Sequence, residues 1–248
     1  MNILALDTAG PVLSVALETQ ADAADGESSN FWYTEVDAGR RHSEFLMACA
    51  DWLCKSAGIK PENLDIVACM QGPGSFTGLR IGFSAAKGIA LALGIPLVAI
   101  STLDCMAAPL SFWPGITLPA MDAKKGCFFT ALYRQGQRLT TDMDAPPESI
   151  AAEIAKIQNS TIEGTIESIV LTGCGAHMLF SRLAGLLPQT SLCVSPDFKK
   201  GRSGGLLKIA KYNILHKDKT KLDRIYTGPV YLRKSDAELH TGKAKTSL

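Results

Sequence analysis

The 248-residue chain has few of the short motifs that carry chemistry. Its seven cysteines (Cys49, Cys54, Cys69, Cys105, Cys127, Cys174, Cys193) are odd in number and form no C-x-x-C. That spacing excludes a disulfide framework or a thiolate metal knuckle. Most lie in apolar runs such as Val67-Ala68-Cys69-Met70, as expected of reduced, buried thiols in a cytoplasmic protein. There are four histidines, His42, His177, His216 and His240, with no i, i+4 pair and no H-E-x-x-H, so no metal site is predicted. No G-x-x-x-x-G-K-[ST] occurs: five residues separate Gly74 from Arg80, and Leu79-Arg80 stands where Lys-[ST] belongs. No G-x-G-x-x-G follows the first strand, and there is no G-x-S-x-G elbow. Met1–Asp7 has no basic leader, and the apolar stretch 81–100 is broken by Lys87, Gly94 and Pro96. Neither a signal peptide nor a membrane span is expected.

With 46% hydrophobic and 20% charged residues the chain reads as an ordinary soluble globule. Its net charge of +1 hides an asymmetry: 13 Lys/Arg face four Asp/Glu from Lys199 onward, against 12 and 20 before it. A basic end suits RNA or an acidic partner, or is simply a solvated helix face. No aromatic cluster accompanies it, as stacking on single strands would need.

The densest signal is Gly72-Pro73-Gly74-Ser75-Phe76-Thr77-Gly78-Leu79-Arg80-Ile81-Gly82, a glycine turn running into a helix. Gly72 and Gly74 permit backbone angles closed to other residues, and Ser75 is placed to cap the helix. The free N–H groups of such a turn suit an anion. The turn equally suits tight packing of a helix that carries Gly78, Gly82, Ala86 and Ala90 along one stripe. Asp7 and Asp122, each ending a strand, are candidates to hold a magnesium-bound water or a ribose, or simply to cap the turns that follow. The candidate anion- or nucleotide-binding set is therefore Asp7, Gly72, Gly74, Ser75 and Asp122.

Along the chain, strands are predicted at Asn2–Asp7, Val12–Glu18 and Phe31–Val36, with a polar loop over 20–30. A helix over 42–57, a strand over 63–70, the helix Ser75–Leu93 and a strand over 97–100 follow. The second half repeats the plan more weakly. Strands are predicted over 116–121, 127–133, 138–141 and 168–172, with helices over 147–157, 176–186 and 204–216. A duplicated β-β-β-α-β-α-β unit is expected, divided into residues 1–105 and 106–239, with a disordered tail over 240–248.

The helix 42–57 is apolar around nearly its whole circumference, whereas a surface helix carries one apolar face. Its second side needs either another layer of this chain or another subunit. Beside it lies the small-residue stripe, on which another helix could approach closely. The residues leave intradomain packing and a partner interface both open. The interface expectation comprises Phe45, Leu46, Cys49, Ala50, Trp52 and Leu53 with Gly78, Leu79, Gly82, Phe83, Ala86 and Ala90.

The glycine run, with Ala86-Lys87-Gly88, Ile95-Pro96-Leu97 and Ser101-Thr102-Leu103, resembles the TsaB (YeaZ) family. Leu4-Ala5-Leu6-Asp7-Thr8, His42-Ser43-Glu44, 121–126 and Pro229-Val230-Tyr231-Leu232-Arg233 extend the likeness, densely in the first half and in pieces in the second. The loop over 19–30 is long for that family, and the extension after Leu239 matches nothing in it. The resemblance implies an actin/Hsp70-like ATPase fold of two ribonuclease-H-like halves. It implies an accessory subunit of tRNA threonylcarbamoyladenosine modification with no catalytic residues and no cofactor of its own, ATP or ADP entering with the complex. The implied partners are a catalytic TsaD-type subunit, met by the first two helices, an ATP-hydrolysing TsaE-type subunit, tRNA indirectly, and a second copy of the chain. The catalytic subunit of that system binds metal through paired histidines on a helix, where this chain has His42 alone. The alternatives are a small-molecule kinase or ATPase using Asp7 and Asp122, and a glycoprotease-like peptidase.

Overall fold

The structure, a computed structural model, describes residues 1–20, 29–160, 168–216 and 227–233. Most of the loop expected over 20–30, and the tail after Leu239, lie outside the described residues.

The first sheet is built on β1 (Ile3–Asp7), flanked by the antiparallel β2 (Val12–Gln20) and β3 (Ser29–Asp37) on one side. On the other lie the parallel β4 (Ile66–Gly72) and β5 (Leu97–Ser101), giving the order β3-β2-β1-β4-β5. β1 is apolar without alternation because both its faces are covered. Leu4 and Leu6 enter a core with α1 (His42–Ser56) and α2 (Phe76–Leu93), while Ile3 and Ala5 enter a second core on the opposite face. α2 ends at Gly94, whose φ of 66° lets its N–H return to the Ala90 carbonyl. α2 has the length and composition of a short membrane span, but its apolar stripe lies against the chain's own sheet.

A short helix, α3 (Thr102–Ala107), leads into the second sheet. That sheet holds β6 (Ile116–Asp122), β7 (Phe128–Thr130), β8 (Tyr133–Arg134), β9 (Gln137–Arg138) and β10 (Met143–Ala145). After α4 (Pro147–Ser160) come β11 (Ser168–Thr172), α5 (Ala176–Leu186), β12 (Ser191–Val194) and α6 (Ser203–His216). The order β10-β7-β6-β11-β12 repeats the first sheet, with β8 and β9 as an added hairpin. Two β-β-β-α-β-α-β units in one chain are the actin/Hsp70-like ATPase arrangement.

Three sequence expectations change. The strand expected over 127–133 is split, because the Leu132 backbone bonds to Thr140 Oγ1 and to the Leu139 N–H instead of to β6. β12, four half-buried residues at a sheet edge, has too short a pattern to stand out. The stretch 101–115, around the division expected at 105/106, contains α3, whose Leu103, Met106 and Ala107 pack on Met121, Ala131 and Tyr133.

α6, assigned by chain order to the second half, puts Leu206, Leu207, Ala210 and Ile214 against Ile3, Ala5, Ala68 and Val98 of the first sheet. That face of β1 would otherwise be bare. The chain therefore crosses back after β12 to complete the first half's core.

Candidate functional site

Between the halves lies a cleft of about 1010 Å³. One wall is the β1–β2 turn, Arg40, His42 and residues 73–78; the other is residues 121–125 with Phe129 and Cys174; residues 230–233 cross it. Gly74, Ser75 and Asp122 of the candidate set line this cleft, but Asp7 and Gly72 do not.

The glycine turn is explained by close approach to β1. The Ser75 N–H donates to the Ala9 carbonyl at 2.8 Å, and Thr8 Oγ1 donates to the Gly78 carbonyl at 2.7 Å. A Cβ on Gly74 would stand 2.8 Å from the Ala9 oxygen, on Gly78 2.1 Å from the Thr8 oxygen, and on Gly82 2.3 Å from Thr8 Oγ1. A side chain at any of these positions would push the helix off the strand. Gly72, at φ 119°, faces the Val230 carbonyl, 2.3 Å from where its Cβ would be. Ser75 Oγ accepts the Gly78 N–H at 3.2 Å, satisfying one orphan donor of the first turn. Ser75→Ala is expected to cost about 1 kcal/mol, read as a fall of about 3 °C in melting temperature.

Asp7 is buried beneath the cleft, with Oδ1 accepting the Ala9 N–H at 3.0 Å and Oδ2 the Arg202 N–H at 2.8 Å. Burial pushes its carboxyl above the usual range, against the opposing pull of those two N–H groups and of the Arg202 charge. Asp122 accepts both the Lys124 N–H and the Lys124 ammonium at 2.7 Å. Partial burial would raise its carboxyl, but the Lys124 bonds outweigh this and hold it below the usual range. His42 is buried, and its Nε2 donates to the Gly10 carbonyl at 2.9 Å, bracing the β1–β2 turn. Among the described residues no group of three His, Cys, Asp or Glu could hold a metal ion.

An ATPase fold implies a magnesium-bound nucleotide in this cleft. The residues present do not fit one, because Asp7 has both oxygens engaged away from it and Asp122 already carries an ammonium.

The expected interface residues divide sharply. Leu46, Ala50 and Leu53 of α1, with Gly78, Leu79, Gly82, Phe83, Ala86 and Ala90 of α2, are buried by the chain's own sheet and the β1–β2 turn. The small-residue stripe is therefore an internal contact. Trp52 is 55% exposed, and Phe45 and Cys49 are half-buried. Phe45, Cys49 and Trp52 recur at i, i+4, i+7 along one flank of α1. On α2 the half-buried Ile81 and Ala85 and the exposed Gly88 and Ala92 form a comparable flank, with Gly88 facing open space. Sequence reading missed this second flank because the glycine spacing drew attention to the other face. It also passed over Arg202, a lone arginine among small residues.

The profile of the family described as TsaD, tRNA N6-adenosine threonylcarbamoyltransferase, matches residues 36–195. The tRNA threonylcarbamoyladenosine biosynthesis protein TsaB of Bacillus subtilis (strain 168) is 34% identical over 134 residues, 54% of this chain and 56% of the relative. Its namesake in Escherichia coli (strain K12) is 33% identical over 139 residues, 55% of this chain and 57% of the relative. The matched stretch thus spans a little over half the length of these curated relatives. YeaZ from Pseudomonas aeruginosa superposes with a TM-score of 0.64 at 23% identity, covering 93% of this chain and 99% of that one, a likeness of fold. With the profile matched over more than half its length, the chain belongs to the TsaD family, on its TsaB/YeaZ side.

Proposed function

We propose that this chain is a non-catalytic subunit in the formation of tRNA threonylcarbamoyladenosine, and that it binds and orders a TsaD-type transferase subunit. The named activity of its relatives in Bacillus subtilis and Escherichia coli supports the pathway. The single observation that carries the subunit role is the paired apolar flank. Phe45, Cys49 and Trp52 on α1 and Ile81, Ala85, Gly88 and Ala92 on α2 stay at least partly uncovered after the chain has filled its own core. Exposed aromatic residues of this kind anchor interface centres, and small residues beside them let a partner helix approach closely. A helix pair from a homologous transferase half, with its own apolar flank, is the occupant this surface takes. A second copy of the chain competes for it, and a TsaE-type ATPase and tRNA join through the assembled pair.

The test is assembly and activity together. The chain alone should transfer no threonylcarbamoyl to tRNA, and mixing with the transferase subunit should give a stable heterodimer in analytical ultracentrifugation and restore modification. No heterodimer, or full activity of the transferase without this chain, sinks the proposal.

Cysteine labelling maps the surface independently. Cys49 should react with maleimide in the free chain and be protected in the complex. Cys69, whose thiol burial pushes up to about 12, should stay unlabelled in both states at pH 8. Peptide mass spectrometry reads each site. Equal Cys49 labelling with and without the transferase would move the interface elsewhere.

A further inference from the structure

Arg202 lies just before α6 and is only 7% exposed. Its peptide N–H donates to Asp7 Oδ2 at the end of β1, in the first half. Its guanidinium reaches the second half, where Nη2 donates to Thr172 Oγ1 at 3.0 Å, at the end of β11. The same nitrogen donates to the Asp197 and Phe198 carbonyls at 2.8 and 3.2 Å. The neighbouring residues are locked into the first sheet. The Gly201 N–H donates to Glu35 at 3.0 Å and the Ser203 N–H to Ser14 Oγ at 3.0 Å. A Cβ on Gly201 would stand 2.3 Å from Ser14 Cβ. One residue, held from both sides, therefore bridges the two halves.

Burial raises the Asp7 carboxyl above its usual range, and the Arg202 charge offsets this only in part. A hydrated magnesium ion would need carboxylate oxygens facing the cleft, and those of Asp7 face Ala9 and Arg202 instead. The mouth of the cleft is bridged separately. The Val230 N–H donates to the Gln71 carbonyl at 2.7 Å, while Arg233 donates to both oxygens of Asp144 and, at 2.6 Å, to the Ala123 carbonyl.

We propose that Arg202 pins the two halves together, its N–H on Asp7 and its guanidinium on Thr172 and the Asp197 and Phe198 carbonyls, and so keeps the Asp7 oxygens turned from the cleft, so that this chain by itself does not take a magnesium-bound nucleoside triphosphate there. The proposal stands whether or not the chain docks on a transferase.

Calorimetric titration of Mg-ATP into the full chain, with hydrogen exchange on the wild type and on Arg202→Met and Arg202→Lys, tests it. The wild type should show no saturable heat up to about millimolar nucleotide. In Arg202→Met the amides of Ala9 and residue 202, both bonded to Asp7, should exchange at least about tenfold faster, the loss expected when the hydrogen bonds that fix residue 202 to the second half are removed. Val67, inside the same sheet, should not change. Arg202→Lys keeps a donor for Thr172 and the two carbonyls and should restore most of the protection, which a purely packing role would not predict. If Arg202→Met does not fold, Thr172→Val removes one acceptor of the bridge and should accelerate the same amides. Saturable Mg-ATP binding by the wild type overturns the proposal. So does unaltered exchange in the variants, or a lysine variant no better protected than the methionine one.

Discussion

Gly78→Val is expected to lower the melting temperature by about 10 °C. The first atom of any side chain at this position would lie 2.1 Å from the Thr8 carbonyl oxygen, far inside contact distance. The helix cannot yield locally. Thr8 Oγ1 holds the Gly78 carbonyl, Ser75 holds Ala9, and Gly82 is pressed on Thr8 one turn further along. Moving α2 away would open the core in which Phe83, Ala86 and Ala90 sit. Overpacking of this kind costs about 3 kcal/mol, which for a chain of this length corresponds to about 10 °C. Gly88→Ala is the control: nothing stands within 4 Å of its Cβ, so the helix should gain up to about 1 kcal/mol from a better helix former. Thermal unfolding by circular dichroism reads both. Bulky residues at Gly82 or Ala86, which the sequence placed in a partner interface, are likewise expected to fail as monomers before any partner is met.

Trp52→Glu combined with Ala85→Arg is expected to abolish binding to the transferase subunit while leaving the monomer folded. Trp52 is exposed, and Ala85 is half-buried at the edge of the core, where a long arginine side chain reaches solvent, so neither change opens the core. On a partner surface the same changes would put two charges in the apolar centre of the contact, where their desolvation costs more than their mutual attraction returns. A buried interfacial tryptophan alone contributes about 2–4 kcal/mol on truncation, a rise of roughly 30- to 1000-fold in Kd. Unchanged melting with lost heterodimer, measured by ultracentrifugation, supports the docking face. Wild-type affinity in the double variant would remove it.

The architecture was largely legible because its signals are local. Uninterrupted apolar runs at Ile3–Asp7 and Ile66–Gly72 announce strands covered on both faces. The Ser75 cap and the Gly94 stop bracket α2 to within a residue. β12 and α3 escaped because four and six residues are too few for a period to declare itself. The candidate site was legible only in part. Gly74, Ser75 and Asp122 do line one cleft, whereas Asp7 sits beneath it, bonded to a residue 195 positions away. Nothing near Asp7 in the chain foretells Arg202, since the pairing arises only when α6 crosses back onto the first sheet.

The glycine stripe shows where local pattern runs out. Four small residues one turn apart demand a close neighbour, and their spacing alone establishes that demand along with the helix that bears it. Whether the neighbour is a strand of the same chain or a helix of another protein is a question of long-range approach, because both ask for the same bare surface. Folding brings Thr8 and Ala9 onto the stripe, and leaves Trp52 exposed and Ala85 half-buried on the other flank.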